Sequence, residues 1–235
     1  MDNFNQVLDA VRAQIEFFVK LHAGCTNAFE YLARQLLPLP VVSCTITGCM
    51  EKGRDVMFGG ARYNSTGISG VGIGNVADSL AMIKHLCFDV KKCTTRELYD
   101  ALKNNWEGYE ELQRYIKNEA PHYGNGIREV DEIAAWASDK FAEVVTSFTG
   151  PRGSYTAAMF PVTANVMFGM MTSATPDGRS AGVPLADGIS PVQQMDTNGP
   201  TAVLTSVSDI NQVKYPNGTL LNMKFHPSSL QGEEG

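Results

Sequence analysis

At 235 residues the chain is long enough for one large domain or two small ones, and with 43% hydrophobic residues it can bury a substantial core. Its formal net charge of -6 leaves no basic excess to neutralise phosphates, which excludes a general nucleic-acid binder. No apolar run approaches the ~20 residues that span a bilayer, and Met1-Asp2-Asn3-Phe4 lacks the basic start and apolar block of a signal peptide, so a cytoplasmic protein with no membrane or nucleic-acid partner is expected.

Phe4 to Leu37 predicts a helix. Phe4, Val7, Leu8, Val11, Ile15 and Phe18 recur on one face, and Phe29, Leu32 and Leu36 continue the stripe beyond Gly24, a candidate interruption. Pro38 and Pro40 stop it, because proline lacks the N–H and restrains the residue before it. A glycine-rich stretch then runs from Gly53 to Gly74, where backbone can pass close to backbone or to a ligand. Asn75 is the predicted N-cap of the next helix, with Asp78 near its positive end and Val76, Leu80, Ile83 and Cys87 facing inward. Thr94 and Glu97 fit a Thr-x-x-Glu capping box. The helix they open carries its stripe through Leu98, Leu102, Trp106, Tyr109, Leu112 and Ile116, and ends at Pro121. A further helix runs from about Ile127 to Phe148, with Val130, Ile133, Ala137, Phe141, Val144 and Phe148 inward.

After Gly150-Pro151 the character changes. The apolar run Met159 to Phe168, bounded by Gly169, predicts a buried strand. Turn-rich segments follow at Thr175-Pro-Asp-Gly-Arg179, Asp187-Gly188, Asn198-Gly-Pro200 and Pro216-Asn-Gly218. Thr201 to Ile210 predicts a helix opened by Pro200, and Leu220 to Phe225 a short strand. Helices first and strands with irregular loops after them make an α/β chain.

Few residues suggest chemistry by spacing alone. Gly70-Val-Gly72-Ile-Gly74 is G-x-G-x-G rather than G-x-G-x-x-G, and no clear strand precedes it, so a dinucleotide site survives only as a foil. Of the five cysteines, only Cys44 and Cys49 lie close together, and no nearby histidine completes a zinc pattern. Reduced, mostly buried thiols are expected. Ser43-Cys44 and Gly48-Cys49-Met50-Glu51 have the look of nucleophile loops, but a buried thiol near the start of a loop is the preferred reading. His22, His85, His122 and His226 are scattered, and none has metal-ligand spacing. Met159, Met167, Met170 and Met171 read as core filler.

Several segments together resemble the glycyl radical enzymes of the pyruvate formate-lyase family. They are Asp55-Val-Met-Phe-Gly-Gly-Ala-Arg-Tyr-Asn64, Gly70-Val-Gly-Ile-Gly-Asn-Val-Ala-Asp-Ser-Leu80, Asn105-Trp-Glu-Gly-Tyr-Glu110, Pro121-His-Tyr-Gly-Asn125, Ala174-Thr-Pro-Asp-Gly-Arg179, Asn198-Gly-Pro-Thr-Ala-Val203 and Leu220-Leu-Asn-Met-Lys-Phe-His-Pro-Ser228. Their order covers nearly the whole chain. The last two segments make it more similar to the glycerol, choline and hydroxyproline dehydratase and lyase branch than to the pyruvate formate-lyases proper.

The resemblance implies part of a ten-stranded α/β barrel, with residues 1–235 forming a partial barrel domain and the glycyl radical domain absent. In that family a cysteine in a Gly-Cys-Val-Glu loop and a glycine in an Arg-Val-Ala-Gly-Tyr loop meet inside the barrel. An iron–sulfur, S-adenosylmethionine-dependent activating enzyme installs the glycyl radical; no separate cofactor is bound. Neither loop is in this sequence. Gly48-Cys49-Met50-Glu51 occupies the place of a later Asp-Asp-Cys-Ile-Glu-Lys-Gly segment, so the implied cysteine and glycine lie a few dozen residues before Met1 and after Gly235. No residue here is assigned a catalytic or metal role. The resemblance puts Phe160, Val162 and Ala164 on a strand that lines the substrate cavity, with valine giving a less polar contact than threonine or tyrosine; ordinary barrel packing accounts for the same residues. The implied activity is cleavage of C–O, C–N or C–C bonds of a small substrate, by an intact enzyme that is a homodimer. The chain alone is expected to be inactive. Formate acetyltransferase activity and a non-catalytic subunit or scaffold are the alternatives.

Overall fold

The computed structural model describes residues 3–225. In chain order the elements are α1 (Phe4–Leu36), α2 (Pro40–Thr45), α3 (Cys49–Lys52), β1 (Thr66–Ser69), α4 (Ile73–Ile83), α5 (Thr95–Lys103), α6 (Glu110–Glu119), α7 (Arg128–Thr146), β2 (Thr149–Gly150), β3 (Gly153–Ala158), α8 (Ala164–Met171) and α9 (Pro200–Ser208). A π-helical turn, Lys84–Asp89, extends α4. His226, and the end of the segment that runs to Ser228, lie outside the described residues. The chain divides into two compact units. One comprises residues 1–70, 136–158 and 211–218, the other residues 71–135, 159–210 and 219–235.

The first unit is built on α1 and a three-stranded sheet. Gly24 does not interrupt α1, which runs unbroken from an Asn3 side-chain cap on the Gln6 amide (3.1 Å). Its buried face is Val7, Val19, Ala23, Glu30 and Ala33. The predicted stripe holds from Phe4 to Ile15, with Val7 buried, but the buried face departs from it afterwards: Phe18, Phe29, Leu32 and Leu36 are exposed. Two polar anchors decide which face turns inward. Buried Glu30 accepts from Thr66 Oγ1 (2.7 Å) and Arg152 Nε (2.8 Å), and the Tyr155 hydroxyl sits 2.7 Å from Asn27 Oδ1. Parallel pairing sets Thr66 against Tyr155 and Ser69 against Ala158, while β2 and β3 form an antiparallel hairpin across Pro151-Arg152. The order is β1-β3-β2. A strand does precede the glycines at 70–74, contrary to expectation; at four residues, with serine and glycine in it, β1 carries too little pattern to be seen.

In the second unit, Gly72 rather than Asn75 caps α4 (φ 80°). Asn75 lies one turn in, with its side chain committed elsewhere. The helix predicted from Thr94 to Pro121 is two helices, broken where Asn105 (φ 50°), Trp106 (φ 69°) and Gly108 (φ 80°) turn left-handed. The capping box at its start is present, with Glu97 Oε2 accepting from the Thr94 amide at 2.8 Å. The break drops Trp106 into the core, where its Nε1–H donates to the Arg179 carbonyl (3.2 Å). Helices α7 and α9 fall close to their predicted spans. The predicted strands at 159–168 and 220–225 do not form; the pairing reduces to one parallel bridge, Met159 with Thr219. The strand predicted at 159–168 lies earlier, as β3, and α8 occupies the second half of that apolar run.

The expectation of mostly buried thiols holds for Cys49 alone. Cys25 and Cys44 are exposed, and Cys87 and Cys93 are half-buried.

Candidate functional site

The chain leaves Met159 at the bridge to Thr219 and reverses into α8 through Phe160-Pro161-Val162-Thr163. The amide of Ala164 closes the turn on the Pro161 carbonyl (2.9 Å), and that of Val166 bonds the Thr163 carbonyl (3.1 Å). Val162 sits at its apex with φ 60°. A β-branched residue in the left-handed region is a backbone outlier, because its Cβ substituents crowd the carbonyl. It is also 74% exposed, so no core contact repays the strain. Phe160 is partly exposed at 39% and Ala164 half-buried. The strand alternation expected for Phe160, Val162 and Ala164 is replaced by a turn followed by the first residue of a helix.

What holds this turn is the seating of α8. Buried Asn165 makes a reciprocal pair with Leu185, donating from Nδ2 to its carbonyl (3.2 Å) and accepting its amide on the backbone carbonyl (3.1 Å). Gly169 lets α8 lie against residues 183–185. A Cβ there would stand 2.6 Å from Pro184 Cα and closer still to the Val183 carbonyl. Past the end of α8, the buried Arg179 guanidinium donates to the carbonyls of Thr172 (3.3 Å), Ser173, Ser180 (3.2 Å) and Val183 (2.7 Å), and to Thr175 Oγ1 (3.1 Å). Arginine's planar fork of donors suits such a cage of carbonyls.

Beneath it lies a second polar cluster, which joins three of the quoted segments. Asn75 donates to Asp177 (2.6 Å) and accepts the Ala186 amide (2.6 Å). One helical turn on, fully buried Asp78 accepts the Tyr123 amide (2.6 Å) and faces His122 Nδ1 (3.1 Å). His122 Nε2 lies 2.7 Å from the Ile116 carbonyl, which can only accept, so Nε2 carries a proton. Burial pushes the Asp78 carboxyl up. Burial also pulls the His122 imidazole down, but the hydrogen bond and charge of Asp78 outweigh it and hold the imidazole above its ordinary value. Asp78 is therefore half of a buried proton-sharing pair, a role its place in the sequence near a helix start does not reveal.

The residues that looked reactive in sequence are committed to structure. Glu51 accepts the Gly48 amide (2.8 Å) at the start of α3, which takes it away from the buried Cys49. Gly60 is packed so that a Cβ would meet the Arg54 and Asp55 carbonyls. Among the described residues there is no group of three or more His, Cys, Asp or Glu side chains placed to hold a metal ion, and no helix is long and apolar enough to cross a membrane.

The pyruvate formate lyase-like family model matches residues 1–169, and the glycine radical model matches residues 185–235. The second range contains no Arg-Val-x-Gly-Tyr. The chain is 38% identical over 234 residues to trans-4-hydroxy-L-proline dehydratase of Clostridioides difficile, covering 99% of this chain and 30% of that protein. It is 40% identical over 168 residues to isethionate sulfite-lyase of Bilophila wadsworthia, covering 70% of this chain and 20% of that one. Among solved structures, the B12-independent glycerol dehydratase of Clostridium butyricum matches with a TM-score of 0.94 at 42% identity, over 99% of this chain and 30% of that one. The substrate-bound hydroxyproline dehydratase of C. difficile matches with a TM-score of 0.96 at 37% identity, over 100% and 30%. The chain thus spans about 30% of the length of these dehydratases.

Proposed function

The chain belongs to the pyruvate formate lyase-like family of glycyl radical enzymes, and on that premise we propose that it is a section of a dehydratase or lyase that cleaves a C–O, C–N or C–C bond of a small substrate by thiyl and glycyl radical chemistry. The relatives it resembles include dehydratases, a sulfite-lyase and a decarboxylase. This section contributes a wall of the substrate cavity, through Phe160, Val162 and Ala164. The observation that carries the assignment is Val162, held exposed and left-handed by a buried scaffold that has no need of it. Strain maintained at an exposed residue is a mark of functional positioning.

The part these side chains play is steric. They carry no proton donor or acceptor, so they orient substrate by shape and keep water from the reacting carbon. The hydroxyl or amine that leaves is bound by groups other than these. Gly59 and Gly60 do not fit the radical glycine, since they serve a turn and a close backbone approach. No step of the radical relay is therefore assigned to this chain. The activating enzyme, a homodimeric assembly and a cytoplasmic location belong to the same proposal.

The coding sequence around the chain tests it. A Gly-Cys-x-Glu loop is expected upstream and an Arg-Val-x-Gly-Tyr loop downstream; the absence of both overturns the reading. In that longer protein, Val162→Thr is expected to shift kcat/KM between a polar and a less polar substrate while the glycyl radical signal in electron paramagnetic resonance stays unchanged. An unchanged preference removes Val162 from the cavity wall.

A further inference from the structure

Sequence spacing draws attention to Cys44 and Cys49, but the fold brings a different pair together. Cys87 lies in the π-helical turn Lys84–Asp89, and Cys93 directly precedes Thr94, the N-cap of α5. Left-handed Lys91 (φ 50°) reverses the chain between them. The amides of Lys92 (2.8 Å) and Cys93 (3.4 Å) then both donate to the Leu86 carbonyl, and that of Val90 to the His85 carbonyl (2.9 Å). The residue before Cys87 is thus bonded to Cys93 itself, and the two thiols are neighbours. π-Helical turns are rare and recur at functional positions.

Both thiols are half-buried and so within reach of a small reagent. Cys93 lines an open cavity of about 560 Å³ together with Lys92, Glu97 and Tyr115. The Lys92 ammonium is 3.8 Å from the centre of the Tyr115 ring, and that ring stacks on His85. The segment is therefore pinned beside each cysteine. The neighbouring Cys87 thiol draws the Cys93 thiol below its ordinary value, against burial and the charge of Glu97, and Cys87 itself is pushed up. Cys93, the thiol of the pair that lines the cavity, is the one placed to attack an entering reagent.

We propose that Cys87 and Cys93 are a reversible redox site, which closes to a disulfide by exchange with a low-molecular-weight disulfide. The Cys93 thiolate attacks one sulfur of the small disulfide, forming a mixed disulfide and expelling one small thiolate. Cys87 loses its proton and attacks the Cys93 sulfur, expelling the second. The protein dithiol gives up two electrons and two protons, and the small disulfide becomes two thiols. With the chain reversed at Lys91 and Cys93 bonded to the residue before Cys87, a local closing motion brings the sulfurs to the ~2 Å bond. The bond would staple the π-turn to the N-terminus of α5 and fix one lip of the cavity.

Trypsin cuts after Lys91 and Lys92, inside the loop, so the test is a non-reducing peptide map of the chain equilibrated in glutathione buffers and quenched in acid. The expected product is the peptide His85–Lys91 joined to Cys93–Arg96, reversed by dithiothreitol, with Cys25, Cys44 and Cys49 outside any intrachain bond. Folding should make this bond form at a glutathione poise at least about tenfold less oxidising than in urea. Cys87→Ser and Cys93→Ser should each abolish it, and Cys44→Ser should not. The proposal is overturned if oxidation joins other cysteines, if Cys87 and Cys93 stay separate thiols or separate glutathione adducts across the titration, or if the pair forms as readily in urea.

Discussion

Deleting the His122 imidazole while leaving Asp78 in place should be among the most damaging single changes in the second unit. Asp78 is fully buried, and in His122→Ala it would keep only the Tyr123 amide as a partner, with Asp177 the nearest other charge. Removing one member of a buried ion pair costs about 3–5 kcal/mol, because the other charge is left without compensation. Asp78→Asn is a different perturbation at almost the same volume. Its Oδ1 can accept the Tyr123 amide, and its Nδ2 can donate to a neutral His122 Nδ1 while Nε2–H keeps the Ile116 carbonyl. It should cost about 2 kcal/mol less than His122→Ala. The pH dependence separates the two further. In the native pair the fold holds a proton that the unfolded histidine releases above about pH 6.5. Stability is then full below that pH and falls as pH rises through the raised folded value of His122, by at most about 1.4 kcal/mol per pH unit. In Asp78→Asn the burial of His122 acts without its counter-charge, so the slope reverses and stability is lost as pH falls below about 6.5. Urea unfolding followed by tryptophan fluorescence between pH 5 and 8.5 reads both effects, with Trp106 a buried reporter. Equal destabilisation by the two variants, or the same pH slope in both the wild type and Asp78→Asn, would refute the shared-proton account.

Three further outcomes follow from the same geometry. Gly169→Ala should destabilise by about 1–3 kcal/mol in urea titration, since its Cβ collides with main chain at Val183 and Pro184. Val162→Gly should do the opposite of a usual glycine substitution and stabilise by about 0.5–1 kcal/mol, through relief of a left-handed β-branched residue at an exposed site. The chain by itself should self-associate with rising concentration in sedimentation velocity, because Phe17, Phe18, Leu21, Phe29, Leu32 and Leu36 are all exposed along α1; a monodisperse monomer at every concentration contradicts this.

Elements with a chemical start or stop signal were legible. Pro38 and Pro40 after α1, Thr94-x-x-Glu97 before α5 and Pro200 at the start of α9 each act within one turn of the chain, so a local pattern suffices. Strand position was not. β3 reads Gly-Ser-Tyr-Thr-Ala-Ala, less apolar than the run just after it, yet Tyr155, Ala157 and Ala158 are buried while Val166, Met167 and Phe168 are exposed. Apolar density therefore pointed a few residues too far along. The departure of the buried face of α1 after Ile15 has a similar origin: Glu30 turns inward for Thr66 and Arg152, partners 36 and 122 residues away that no helical period encodes. Of the candidate site, Phe160, Val162 and Ala164 were reached through resemblance to a family, and their turn geometry only through the fold. The Cys87–Cys93 pair was missed because a π-turn and a left-handed lysine set its closeness, and residue spacing reports neither.

The parallel pairing of Thr66 with Tyr155 also has a consequence in time. Its partners are about ninety residues apart along the chain. At a synthesis rate of roughly 5–20 residues per second, β1 waits on the order of 5–20 s outside the ribosome before the strand that completes its hydrogen bonds has been made. Through that interval Glu30 lacks its Arg152 partner, which is in the same late segment. The first half of α1 can form early from its own periodicity, but the register that aims its buried face must come late. Long-range closure of this kind slows folding, and it makes α1, as it emerges, the natural client of whatever chaperone shields apolar helices during translation.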